Sequence, residues 1–176
     1  NVGETYIEEG ATVSDNVDTG LVVQIAGDTV DTSKIGIYTL TYNVSDAAGN
    51  AADTVTRNIS VQDADAPVVT TANNISVAAT DQDGTAATQS QIATFLSAAT
   101  ANDNVDGQLT PTNDAPVTFP LGITPVTFSA TDTAGNTGSV SATVTVTDQS
   151  KPVISLTGNS SITLSVGGNY TDAGAT

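Results

Sequence analysis

The chain has 176 residues and a formal net charge of −16, with 19 acidic residues against Lys34, Arg57 and Lys151. That balance excludes nucleic acid and anionic membrane surfaces as partners, since both need a Lys/Arg footprint. The absence of Cys and His excludes disulfides, thiolate or imidazole metal sites, a histidine base and a cysteine nucleophile.

Residues 6–13 read as a first strand, interrupted by Glu8-Glu9-Gly10, and residues 21–25 as a short apolar one. Asp31-Thr-Ser-Lys34 is a turn. Tyr38, Leu40, Tyr42 and Val44 alternate with Thr39, Thr41, Asn43 and Ser45, the period-two pattern of a half-buried strand. Val55, Ile59 and Val61 form the next. Residues 67–71 and 75–79 are strands, with a turn at Asp81-Gln-Asp83-Gly84. Residues 88–99 break the β pattern. Apolar residues recur there at helical spacing, and Thr88 with Gln91 three later predicts a capped helix near 89–98 that plugs the sandwich. Residues 109–112, 117–119, 125–130 and 140–146 complete the strands. Hydrophobic content is 38% and aromatic content only 4%, so the cores are built from Val, Ile, Leu and Ala. The expected fold class is all-β: tandem immunoglobulin-like sandwiches with one short helix in the second module.

The chain repeats itself. Tyr38-Thr-Leu40-Thr-Tyr42-Asn-Val44-Ser-Asp46-Ala-Ala-Gly49-Asn50 aligns with Thr124-Pro-Val126-Thr-Phe128-Ser-Ala130-Thr-Asp132-Thr-Ala-Gly135-Asn136. Asp15-Asn-Val-Asp18 aligns with Asp103-Asn104-Val-Asp106, and Ala66-Pro67-Val68-Val69 with Lys151-Pro152-Val153-Ile154. A further match joins the ends: Val2-Gly3 and Tyr6 recur as Val166-Gly167 and Tyr170. The expected domains are residues 1–62, a module lacking its first strand; 63–148, a complete sandwich; and 149–176, the opening strands of a third. The chain is then read as an internal window of a longer array. Alternatively, residues 152–176 complete the first module of a neighbouring copy by strand addition, as in a self-assembling filament.

Residues 36–50, with Ile154-Ser-Leu-Thr-Gly158 and Tyr170-Thr-Asp-Ala-Gly-Ala175, resemble bacterial immunoglobulin-like surface repeats. Phe119-Pro-Leu-Gly-Ile-Thr-Pro-Val-Thr-Phe128 followed by Asp132-Thr-Ala-Gly-Asn136 is similar to the hyalin-repeat family. These resemblances imply tandem modules of extracellular, cell-surface or secreted stalks and adhesins, with neighbouring repeats of the same protein as partners.

In such a sandwich the loops at the entering end converge on the linker. Here the linker brings Asp63 and Asp65. The loops bring Asp103, Asn104, Asp106 and Asp132, with no cation nearby in sequence. Mutual repulsion would splay them, and Ca²⁺, which takes 6–8 oxygens in flexible geometry, is the expected ligand. Asp15, Asp18 and Asp46 occupy the equivalent loops of the first module. Asp81, Asp83 and Asp148 are placed at the next junction, where Ser150-Lys151 predicts a weaker or different site. Any lone Asp of this kind also serves simply to close a turn. Catalysis is not expected, and direct insertion of this segment into a membrane is not expected. Recognition of a glycan or protein would need exposed aromatics, such as Tyr6 or Tyr170.

Overall fold

The computed structural model describes residues 1–174. Twelve strands and one helix follow in order: β1 (Gln24–Gly27), β2 (Gly36–Asn43), β3 (Val55–Val61), β4 (Val68–Thr70), β5 (Ile75–Ala78), β6 (Thr85–Ala86), α1 (Ser90–Ser97), β7 (Thr100–Asp103), β8 (Gly107–Leu109), β9 (Thr112–Asn113), β10 (Thr118–Phe119), β11 (Gly122–Thr131) and β12 (Thr137–Thr147).

Up to Val61 there is one antiparallel sheet, β1-β2-β3. Its alternation buries Leu40 and Tyr42 on β2 and Val61 on β3. Residues 1–23 lie against it without forming a strand. Both expected strands there are corrected: residues 6–13 form none, and the 21–25 strand is shifted to Gln24–Gly27. The reason is in the side chains. Glu8 turns to accept from the hydroxyls of Tyr6 and Tyr42 and from Arg57. Gly10 adopts φ +77° and gives its carbonyl to Arg57 instead of to a ladder.

The second unit is a two-layer sandwich. One sheet runs β5-β12-β11-β9 and the other β4-β7-β8, with β10-β6 as a small extra pair. Val126, Phe128 and Ala130 of β11 and Ala142, Val144 and Val146 of β12 supply alternate buried side chains, which meet Val69, Val77 and Ala101. Strand β5 joins β12 in parallel, Ile75 opposite Val144 and Val77 opposite Val146. Helix α1 lays Ile92 and Phe95 into this core, where Phe95 meets Phe128 edge-on at 5.6 Å. Its cap differs from the expected one. Gln89, not Thr88, takes the amides of Gln91 (2.8 Å) and Ile92 (3.1 Å) on its side-chain oxygen. The helix stops at Ser97 because Thr100 must start β7 against β4.

The expected strand over 109–112 is divided. Strand β8 ends at Leu109 on β7, and β9 begins at Thr112 on β11. Pro111, lacking an amide donor, stands where the chain changes sheets. Of the opening strands expected in residues 149–176, none forms among the described residues, and Val153 and Ile154 are 84% and 81% exposed. The pairing recorded in this stretch is local, the Thr157 amide donating to the Gly174 carbonyl at 3.1 Å, and so short a pairing does not hold an independent strand in water.

Candidate metal centre

Three carboxylates converge at the end where the linker enters the second sandwich. Asp63, Asp103 and Asp132 each contribute an oxygen within 4.8 Å of the others, and all three are buried. Each is positioned by local chemistry. Asp103 ends β7 and accepts the amides of Val105 (2.8 Å) and Asp106 (2.9 Å), an Asx turn that Gly107 closes at φ +72°. Asp132 follows β11 and accepts from the Asn136 backbone amide and side-chain amide, both at 2.8 Å, across the turn to β12. Asp63 lies two residues beyond β3 and accepts the Asp65 amide at 3.2 Å. The linker is pressed onto the sandwich at Gly138, where a Cβ would stand 1.8 Å from the Pro67 carbonyl oxygen. Asn136 also reaches the Asp63 carbonyl, at 3.4 Å.

The electrostatics of the cluster are uneven. Burial pushes the Asp63 carboxyl above the usual carboxylate range, and the charges of Asp103, Asp132 and Asp65 add to the push. Burial also raises Asp132, but the Asn136 donors outweigh it and hold that group low. One oxygen each of Asp63 and Asp103 is buried with no hydrogen-bond partner. The basic side chains do not balance this charge. Arg57 pairs with Glu8 at 2.7 Å and Lys34 with Asp31 at 2.9 Å. An all-oxygen donor set with two orphaned buried oxygens fits a hard cation of the Ca²⁺ kind.

The remaining expected residues take other places. Asp65 is exposed, and its carboxylate accepts from the Asn104 amide at 2.9 Å. Asp106 accepts the Thr133 amide (2.6 Å) and hydroxyl (2.9 Å), which ties the two loops together beside the cluster. No acidic residue of the first 61 joins the cluster among the described residues. The cluster thus joins the linker to the loops of the second sandwich.

In the first module the loops repeat the same geometry. Asp15 accepts the Val17 and Asp18 amides, Asp18 the Ala47 amide, and Asp46 the Asn50 amides. Here the carboxylates of Asp15 and Asp46 close their turns, Asp18 ties one loop to the other, and Asp15 is exposed. Asp81 accepts the Asp83 amide and Asp148 the Ser150 amide. All three acids are exposed at the opposite end of the sandwich, where Asp81 and Asp148 border one hollow beside Leu121. Asn136 and Thr133 are the contributors that sequence reasoning did not single out. The repeated Ala-Gly-Asn turn was the available signal for Asn136.

The fold is of the all-β, immunoglobulin-like class, and two family models match successive parts of the chain. Residues 1–61 match the bacterial surface protein Ig-like domain family, and residues 62–147 match the HYR domain family. The chain is similar to hyalin of Strongylocentrotus purpuratus, 33% identical over 159 residues, covering 83% of this chain and 13% of that protein. An uncharacterized 81.3 kDa protein of Acholeplasma phage L2 is 33% identical over 168 residues, 91% of this chain and 22% of that protein. Hyalin of Lytechinus variegatus is 31% identical over 150 residues, 82% of this chain and 28% of that protein. The chain thus spans well under a third of each of these relatives.

Proposed function

We propose that this chain is a non-catalytic segment of an extracellular or cell-surface repeat protein. In this reading Ca²⁺ held by Asp63, Asp103 and Asp132 locks the linker onto the entering end of the second module. The orphaned buried oxygens of Asp63 and Asp103 carry the reading. Leaving one carboxylate oxygen of each buried and unpartnered is costly, and a bound dication removes that cost. Three side chains fill about half of a 6–8-oxygen shell. Asp65 and water are available for the rest. The ion's contribution is charge neutralisation at a hinge. Asp103 and Asp132 stay preorganised by their own turns, so binding orders chiefly the linker.

The surface assignment is supported by both matching families and by the hyalin relatives. Its partners in this reading are neighbouring repeats of the same protein. A thermal melt in calcium against chelator tests the ion. At calcium 100-fold above its dissociation constant the gain is about 2.7 kcal/mol, roughly 5–10 °C in Tm at this size. An unchanged melt, with no heat on calcium titration, sinks the reading.

A further inference from the structure

Five asparagines stand two residues before a serine or threonine with no proline between: Asn43, Asn58, Asn74, Asn159 and Asn169. That spacing is the acceptor pattern for N-linked sugar, because the hydroxyl two residues on reaches back to the asparagine amide. The pattern is common in a chain rich in Ser and Thr, so geometry has to choose among them. Asn43 is half-buried, and Asn58 lies inside β3, its backbone held in the ladder with β2. Asn159 and Asn169 belong to no sheet, so no strand fixes their side chains. Asn74 is different. It closes the loop between β4 and β5, and both it and Ser76 are exposed.

The Asn74 side-chain oxygen accepts the Thr143 amide at 2.9 Å. That bond anchors the side chain and leaves Nδ2, the atom that takes a sugar, with no protein partner among the described residues. Other asparagines spend this nitrogen: Asn50 on Asp46, Asn104 on Asp65 and Asn136 on Asp132. Ile75 and Val77 pack into the core, so Asn74 and Ser76 share the outward face of β5. Ser76 stands opposite Thr145 there. This face is distinct from the rest of the surface. Strands β5, β11 and β12 contain no Asp, Glu, Lys or Arg, in a chain of net charge −16. Their outward positions carry hydroxyls instead, Thr127 pairing with Ser141 at 3.3 Å. A sugar laid over such a face meets donors and acceptors without desolvating a charge.

We propose that Asn74 carries an N-linked glycan that lies over the hydroxyl face of the second sandwich. The donor is a sugar activated as a diphosphate, lipid-linked or nucleotide-linked, delivered by a glycosyltransferase of the producing cell. Nδ2 attacks the anomeric carbon. A carbon–nitrogen bond forms as the bond to the diphosphate oxygen breaks, the diphosphate leaves with the electron pair, and the amide gives up one proton. Ser76 is a positioning residue, its hydroxyl orienting the amide. The inference rests on the surface placement proposed above and is independent of the ion, since neither residue belongs to the carboxylate cluster.

The test is a peptide map of the protein recovered from the surface of the cell that makes it. Cleavage before aspartate frees residues 65–80, which hold Asn74 and none of the other four acceptors. That peptide is expected to be heavier by whole sugar residues, with the added mass on Asn74 when the peptide is fragmented. A preassembled oligosaccharide there identifies a lipid-linked donor, and single hexoses a nucleotide-linked one; both support the proposal. Two variants separate acceptor from structural roles. Ser76→Ala keeps Asn74 and its bond to Thr143, and Asn74→Asp keeps the accepting oxygen but removes the nitrogen. Both are expected to lose the sugar while the melt of the unglycosylated chain stays unchanged. A bare 65–80 peptide overturns the proposal and leaves the surface placement standing. Sugar confined to the other asparagines, or retained at full occupancy in Ser76→Ala, overturns it too.

Discussion

Asp63 is the residue at which the proposed ion has an unusual signature. Without a cation its carboxylate is buried beside Asp103 and Asp132 with one oxygen unpartnered, and folding favours its protonated form. Asp63→Asn removes that repulsion, so the variant is expected to be more stable than the parent in chelator. In calcium the order reverses, because the variant has lost a ligand. Paired melts in the two buffers check the change of sign. Glu8 gives a separate prediction. The hydroxyls of Tyr42 and Tyr6 hold its carboxyl down at about 2 against burial, with the Gly10 amide and Arg57 assisting. A depressed carboxylate stabilises the fold above its ordinary value of 4.5, and that stability is lost as pH falls from there towards about 2. Its partner Tyr42, buried and bonded to Glu8, is pushed up to about 12, so its share is lost at the alkaline end, above pH 10. Glu8→Gln is expected to flatten the acid limb of a pH–stability profile of residues 1–61, followed by amide exchange.

At the level of elements, the two long strands of the second sandwich carry most of its core. Phe128 on β11 is 1% exposed and braces Phe95 of the helix. Truncating such a side chain to alanine loses its transfer energy and leaves a cavity, about 3–5 kcal/mol together. Phe128→Ala is therefore expected to lower the denaturation midpoint sharply and to release α1, read as faster exchange over residues 90–97. The helix was legible because its apolar spacing is helical inside an otherwise alternating chain. Its cap was not, since Thr88 and Gln89 are both competent acceptors and only the burial of Ile92 and Phe95 decides which one meets the first free amides. The division at Pro111 was likewise hidden. A proline forbids one ladder bond, but which sheet the chain takes up afterwards is a matter of neighbours.

Across the whole molecule, the proposed ion is a hinge fastener. Small-angle scattering is expected to give a narrower distribution of end-to-end distances in calcium than in chelator, with D103N abolishing the difference. Equal distributions in the two buffers would mean that the linker is already held by the close approach of Pro67 to Gly138.

By itself the sequence determined the all-β class, the single helix and the acidic loops, because alternation, turn residues and internal repeats are properties of neighbouring positions. It also marked Asp63, Asp103 and Asp132 as candidates, but could not separate them from Asp65 and Asp106. That selection belongs to the tertiary structure. Asp106 is engaged by Thr133 and Asp65 by Asn104, and burial leaves three carboxylates facing one another. Which oxygens are left unpartnered depends on groups far apart in the chain meeting in space, and no local pattern encodes that.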